Sequence, residues 1–319
     1  LQHRPGRGNQ ALAEATFSYF LEQGNKFRGW TLGHESIIKR RTLQQASHKE
    51  AMRVFALSDI HVDYEQNLDW LAEISASDYQ DDLLLLAGDV SDDLALLEEV
   101  LGSLGSKFRK LFFVPGNHEL WVRRRTAASG ESGQAVDCSV EKFKLIRQRC
   151  AALDVACDPW HLDQLSIVPL LGWYDFSFGE PDRHLRRAWR DFRACSWPGE
   201  MDSAAAITDY FLRHNEASLE VSNRTVISFS HFLPRLDVMP PQIPSHRRRV
   251  YPVLGSAALG EQVARLKPDL HVYGHSHVNQ AITLDGTRFI NNAFAYPDET
   301  SISRKRLLCV WDSEGGIQC

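Results

Sequence analysis

Leu83-Leu84-Leu85-Leu86-Ala87-Gly88-Asp89 sets five apolar residues against a glycine and an acid. Five residues suit a buried strand and are too few for a helix, and an unbroken apolar run fits a strand covered on both faces. The pattern recurs along the chain. Val54-Phe55-Ala56-Leu57 runs into Ser58-Asp59, and Leu111-Phe112-Phe113-Val114 into Pro115-Gly116-Asn117-His118. Thr225–Phe229 runs into Ser230-His231, and Leu270–Tyr273 into Gly274-His275. Helical spacings lie between these runs. Leu94, Leu97, Leu101 and Leu104 share a face, with Asp92 or Asp93 placed to cap it, and Leu259, Val263 and Leu266 follow Ser256. Strands alternating with helices predict an α/β fold with a largely parallel sheet. In the tail, Ala281–Leu284, Arg288–Ile290 and Leu307–Trp311 are expected as antiparallel strands, with Asp285-Gly286 as a hairpin turn.

A chain of 319 residues with 43% hydrophobic content can bury a full core. Its net charge of −5 carries no global basic excess, so non-specific nucleic-acid binding is not expected. No apolar run approaches the ~20 residues of a membrane-spanning helix. Cys138, Cys150, Cys157, Cys195, Cys309 and Cys319 show no C-x-x-C spacing, which predicts reduced thiols and a cytoplasmic protein. The chain begins at Leu1, which leaves organelle targeting open. Residues 1–50 differ in composition and are expected to form an N-terminal extension, with a helix around Ala11–Leu21, packed outside a main domain of residues 51–319. Helical, cap-like insertions are expected within residues 120–225.

In an open α/β sheet, ligands bind beyond the carboxyl ends of the strands. Those ends carry Asp59-Ile60-His61, Asp89, Asn117-His118, His231 and His275-Ser276-His277. Singly, each is ordinary turn or capping chemistry. Five in succession are not, because that many polar groups at one sheet edge without partners would be costly. Carboxylate, amide and imidazole together suit borderline first-row ions rather than a structural zinc. A carboxylate such as Asp89 offers one oxygen to each of two ions, and an ion pair roughly 3.5–4 Å apart clamps a phosphoryl group for in-line displacement.

Asp59-x-His61, Gly88-Asp89, Gly116-Asn117-His118-Glu119, His231 and Gly274-His275-Ser276-His277 together resemble the motif set of the calcineurin-like metallophosphoesterase superfamily, over about residues 53–311. The resemblance implies a four-layer α/β-β-α sandwich of mixed sheets, with a dinuclear site at the C-terminal edge of the strands. It implies one metal on Asp59, His61, Asp89 and His277 and a second on Asp89, Asn117, His231 and His275, the ions being Mn, Fe or Zn. It further implies that His118 binds no metal but faces the substrate and protonates the leaving oxygen, oriented by an acidic neighbour. A phosphate mono- or diester would be cleaved by hydroxide activated between the ions. A nucleotide phosphodiesterase or nuclease on the same core, and a metal-binding interaction scaffold, are the rivals.

Departures narrow the branch. Position 92 is Asp, where purple acid phosphatases carry a tyrosine ligand, and position 93 is Asp, where Ser/Thr protein phosphatases carry arginine. His118 stands where lipid-A-pathway hydrolases have arginine. The broad group that remains includes similar plant and protist sequences. Three basic clusters, Arg123-Arg124-Arg125, Arg183/Arg186/Arg187/Arg190 and His246-Arg247-Arg248-Arg249, have two readings. The second cluster falls on one face of a single helix, opposite Leu185, Ala188, Trp189 and Phe192, and an amphipathic surface helix accounts for it without any role in binding. Alternatively, arginine forks near the site grip anionic groups. Arg123, Arg186, Arg190, Arg235 and Trp173 are the candidates for substrate contact, although core packing is the favoured reading of Trp173. A small phosphorylated substrate is expected, a protein substrate remains open, and neither membrane nor nucleic acid is expected as a partner. His271 lies within a strand and is expected to be structural.

Overall fold

The computed structural model describes residues 52–122, 136–221 and 223–318. The chain divides into Leu1–Lys49 and Glu50–Cys319. The extension expected at residues 1–50, with its helix, lies outside the described residues.

The apolar runs form strands where their length predicted them. β1 (Arg53–Leu57), β2 (Leu83–Ala87) and β3 (Lys110–Val114) pair in parallel. β10 (Leu308–Asp312) adds antiparallel to β1 and carries the short β11 (Gly316–Ile317). The second sheet runs β4 (Trp160–Leu162), β5 (Leu165–Pro169), β6 (Thr225–Phe229), β7 (Leu270–Tyr273), β9 (Thr287–Asn291) and β8 (Gln280–Leu284). Its four central strands are parallel and its two edges antiparallel. The β8–β9 hairpin turns at Asp285 and Gly286, whose φ of 50° and 86° suit this pair.

Alternate residues of the first sheet face different partners. Val54, Ala56, Leu83, Leu85, Phe112 and Val114 cluster with Ile227, Phe229, Val272 and Phe289 of the second sheet. Phe55, Leu57, Leu84, Leu86, Leu111 and Phe113 cluster instead with Leu71, Leu97, Leu101 and Ile146. Those residues lie on α1 (Glu65–Ala72), α2 (Leu94–Lys107) and α3 (Ser139–Ala152). Burial on both faces explains why β2 is four leucines without alternation, each contributing about 1.5–3 kcal/mol when fully buried. Phe211 of α6 (Ala204–Asn215) and Leu259 and Val263 of α7 (Ala257–Leu266) complete the core over the second sheet. Helix, sheet, sheet and helix give the four-layer sandwich. Of the two candidate caps for α2, Asp93 takes the position: its Oδ1 accepts from Ala95 N at 2.9 Å and Leu96 N at 3.1 Å.

The single helix expected through Arg183–Phe192 breaks in two. α4 (Arg183–Ala188) ends at Trp189, whose ψ of 121° is extended, and α5 (Asp191–Ala194) follows. Ala188 and Phe192 are exposed, so the expected apolar face does not form. Between residues 136 and 221 the chain supplies β4 and β5 to the second sheet as well as helices. Among the described residues, no helix is long and apolar enough to cross a membrane, and Cys138, Cys150, Cys157, Cys195 and Cys309 are free thiols.

Candidate metal centre

Parallel pairing aligns the carboxyl ends of β1, β2 and β3 in one sheet and of β6 and β7 in the other. The two edges meet where Ser58, just past β1, bridges to Ala293, just past β9. Asp59, His61, Asp89 and His277 converge there with all ligand atoms within 4.8 Å of one another, and Asp89, His231 and His275 do the same. Asn117 joins the second group, its Oδ1 lying 3.2 Å from His231 Nε2.

The backbone is bent to bring these side chains together. Asp59, His61, Asp89, His275 and His277 all have φ between 43° and 66°, a left-handed conformation that costs non-glycine residues about 1–3 kcal/mol each. Gly88, at φ 78°, and Gly116 make room for the loops. A Cβ on Gly88 would stand 2.6 Å from His231 Nδ1, and one on Gly116 would stand 2.7 Å from His231 Nε2 and strike Asp89 Oδ1. Glu119 ties the β2 and β3 loops together. Its buried carboxylate accepts from the amides of Gly116 at 2.6 Å, Asp89 at 2.9 Å, Val90 at 2.6 Å and Ser91 at 3.1 Å. Asp59 likewise accepts from His275 N, at 2.9 Å and 3.1 Å to its two oxygens, joining the first loop to the last.

The hydrogen bonds behind the cluster decide what it can hold. His231 Nδ1 donates to Ala87 O at 2.9 Å and His275 Nε2 donates to Val253 O at 3.0 Å. In neutral rings this leaves a lone pair on His231 Nε2 and another on His275 Nδ1, and these atoms face each other at 3.0 Å. Asn117 Nδ2 donates to Asp191 Oδ1 at 2.9 Å, which turns the amide oxygen toward the same point. Three lone pairs and the Asp89 carboxylate thus converge with no proton between them, an arrangement that a cation satisfies. In the other group His61 Nε2 and His277 Nε2 are 3.1 Å apart, and His277 Nδ1 donates to Glu299 Oε2 at 2.6 Å. The residues present fit two cations sharing Asp89.

Protonation behaviour agrees. Burial holds His61 well below its ordinary value and lowers His231, and burial with the neighbouring imidazole of His231 takes His275 down to about 3. These rings are therefore neutral and able to ligate near pH 7. Burial, followed by the charges of Glu119 and Asp59, lifts Asp89 well above the usual carboxylate range. A bound cation reverses that effect. His277 differs: burial opposes its charge, but Asp59 and Glu299 outweigh it and raise the ring to about 9.

His118 stands beside the cluster. Its Nε2 is 3.8 Å from Asp89 Oδ2, and its ring lies 3.6 Å from that of Trp121 and 4.6 Å from that of His61. Glu119, its neighbour in sequence, is spent on loop amides and does not orient the imidazole. Arg190 stacks over Trp121 at 4.1 Å and so reaches the rim of the site.

The other candidates for substrate contact have different surroundings. Trp173 is 1% exposed and packs among Tyr174, Trp197, Phe211 and Phe232, and with Arg186 and Asp191 it also lines a cavity of about 500 Å³. Arg235 bonds Asp237 and Asp285, each at 2.6 Å. Asp285 precedes β9 at the amino-terminal edge of the sheet, the end opposite the histidines. Arg186 is engaged with Glu180 at 2.9 Å and lies over Phe176. Arg123 falls outside the described residues.

Asp191 was not singled out from the sequence. Its Oδ1 accepts from Asn117 Nδ2 and, at 2.6 Å, from Trp121 Nε1, while Oδ2 accepts from Trp189 Nε1 at 2.7 Å. Glu299 behind His277 was likewise missed. Neither residue follows a strand, and only the flanking tryptophans of Asp191 hint at a buried position.

The sequence profile of the calcineurin-like phosphoesterase family matches residues 52–279. The chain belongs to this family. It is therefore an enzyme that hydrolyses phosphate esters and depends on metal, and the buried Asp/His cluster is compatible with a metal site. Among characterised relatives, the [acyl-carrier-protein] phosphodiesterase PptH of Mycobacterium tuberculosis is 27% identical over 270 residues, covering 77% of this chain and 78% of that protein. The crystal structure of that phosphopantetheinyl hydrolase superposes with a TM-score of 0.67 at 22% identity, over 82% of this chain and 96% of the other, and shows the same fold.

Proposed function

We propose that this phosphoesterase is a two-metal phosphodiesterase that releases phosphopantetheine from a carrier protein. The observation that carries the two-metal assignment is the pair of lone-pair clusters sharing Asp89. Asp59, His61, Asp89 and His277 would hold one ion, and Asp89, Asn117, His231 and His275 the other. Their mixed O and N donors suit Mn, Fe or Zn. When bound, such ions supply Lewis acidity and make water nucleophilic near neutral pH. His118, beside Asp89 and outside both ligand sets, is positioned to bond a phosphoryl oxygen and deliver a proton to the leaving alkoxide. Burial, then the neighbouring histidines, hold its ring neutral in the free enzyme, whereas an adjacent anionic diester favours the protonated form that such a transfer needs. The carrier-protein substrate is supported by the likeness to the M. tuberculosis enzyme. A small phosphorylated substrate, expected from the sequence, is the alternative.

The test is to incubate the metal-loaded chain with a phosphopantetheinylated carrier protein and follow the carrier's mass, with aryl monophosphate and bis-aryl phosphate assayed alongside. Loss of the arm supports the proposal. Turnover of bis-aryl phosphate with an intact carrier removes the substrate assignment, and a faster monophosphate reaction removes the diester assignment.

A further inference from the structure

The two described arginine clusters come together in the fold. Arg249, in the helical segment Ser245–Val253, pairs with Asp182, the cap of α4, at 2.9 Å. The segment Ser245–Val253 and the residues that follow α4 also touch the metal centre. Val253 O accepts from His275, the Trp189 ring lies 5.8 Å from that of His275, and Asp191 holds Asn117. Arg183, Arg187 and Arg247 are exposed, and none of them pairs with a carboxylate among the described residues. Three arginines without a carboxylate partner, on two segments joined by the Arg249–Asp182 pair and on a chain whose net charge is −5, make a local field and not a general property of the surface.

We propose that α4 and the segment Ser245–Val253 form a docking surface for an acidic face of the protein that carries the diester. The inference rests on the carrier-protein reading above and adds where that protein sits. Charge complementarity selects the occupant: guanidinium forks bond carboxylates in pairs, and a partner held there presents its phosphodiester to the adjacent centre. Arg190, two residues after α4, stacks over Trp121 beside His118.

The test compares wild type with the Arg187→Glu/Arg247→Glu double variant, using the phosphopantetheinylated carrier protein and bis-aryl phosphate at low and moderate salt. KM for the carrier should rise at least about tenfold at low salt in the variant, while kcat/KM for bis-aryl phosphate stays within about twofold. The wild-type KM for the carrier should itself climb with salt. An Arg187→Gln/Arg247→Gln pair should shift KM in the same direction by less, which separates docking from misfolding. An unchanged carrier KM in both pairs overturns the surface. So does an unchanged carrier KM accompanied by lost retention of an RNA oligonucleotide, which assigns the arginines to nucleic acid. If wild type cleaves bis-aryl phosphate but never the carrier, the substrate reading fails first and the docking surface falls with it.

Discussion

His231 and His275 face each other Nε2 to Nδ1 across 3.0 Å, each ring's other nitrogen donating to a backbone carbonyl. Two lone pairs at that distance repel unless a cation lies between them. Exhaustive chelation should therefore abolish turnover and also lower the melting temperature, because ions that bind only the folded chain stabilise it by mass action. Calorimetry of the chelated and reloaded protein checks this. Equal melting temperatures, with metal analysis confirming both states, contradict it.

Asp191 sets the direction of the Asn117 amide, and it does so from outside the ligand set. Asp191→Asn keeps the volume but replaces one of the two acceptor oxygens with an NH2, so that one end of the side chain sets a donor against a donor, and the charge behind Asn117 is lost. Bound metal should weaken by about 10–100-fold, the usual cost of losing such a partner. Asp191→Ala should also destabilise the fold, since Trp121 Nε1, Trp189 Nε1 and Asn117 Nδ2 lose their acceptor at about 1–3 kcal/mol for each buried donor left unpaired. Metal titration calorimetry on both variants reads this directly. Affinity unchanged in Asp191→Asn would show that Asn117 is oriented by something else.

Much of this centre was legible because a strand end is both a sequence feature and a place. An apolar run stops, a polar residue follows, and parallel pairing delivers all such residues to one edge, so the sequence alone groups Asp59, Asp89, Asn117, His231 and His275. Asp191 could not be grouped this way. It follows α4, not a strand, and its neighbours Arg190 and Arg193 suggest a solvated helix. Its burial depends on how Trp121, Trp189 and Tyr174 close around it. Arg235 lies away from the cluster for a related reason: proximity in sequence to a site loop says nothing about which side of the sheet a side chain takes. The helix at residues 183–192 had the right periodicity, but Trp189 leaves the helical conformation and turns Asp191 inward.

Gly116 has no space for a side chain. A Cβ there would stand 2.7 Å from His231 Nε2 and collide with Asp89 Oδ1. Gly116→Ala should remain folded, because the strain falls on the loop and not on the core, yet lose at least one ion per chain and about 100-fold or more in kcat. Circular dichroism with metal analysis separates the two effects. A fully loaded, active variant would remove this glycine from the account.

His118 should matter in proportion to how badly the leaving group needs a proton. Positioned acid catalysis contributes about 10²–10⁴-fold. His118→Ala is expected to lose activity in that range on an alkyl phosphodiester and less than about tenfold on bis-p-nitrophenyl phosphate, whose phenolate leaves without help. Equal losses on both substrates would make the imidazole a binding group and not an acid.

His271 gives a pH dependence independent of the metal ligands. It is fully buried between Ser228 Oγ at 2.7 Å from Nδ1 and Ser230 Oγ at 3.0 Å from Nε2. Ser230 spends its hydroxyl proton on Phe232 O, at 2.7 Å, so the ring Nε2 is the donor and Nδ1 the acceptor of a neutral imidazole. Burial pushes this ring down to about 3 from an ordinary value of 6.5. A folded value below the unfolded one means that the unfolded chain takes up the proton first. The stabilising contribution is complete above about pH 6.5 and is lost as pH falls toward 3, at about 1.4 kcal/mol for each unit. His271→Gln, which keeps polar contacts but does not titrate in this window, should be less stable than wild type at pH 7.5. The gap should narrow steadily at pH 6 and pH 5 in urea melts of the chelated proteins, where the metal-site histidines contribute equally to both. A gap that stays constant across that range would show that the buried ring is not what titrates.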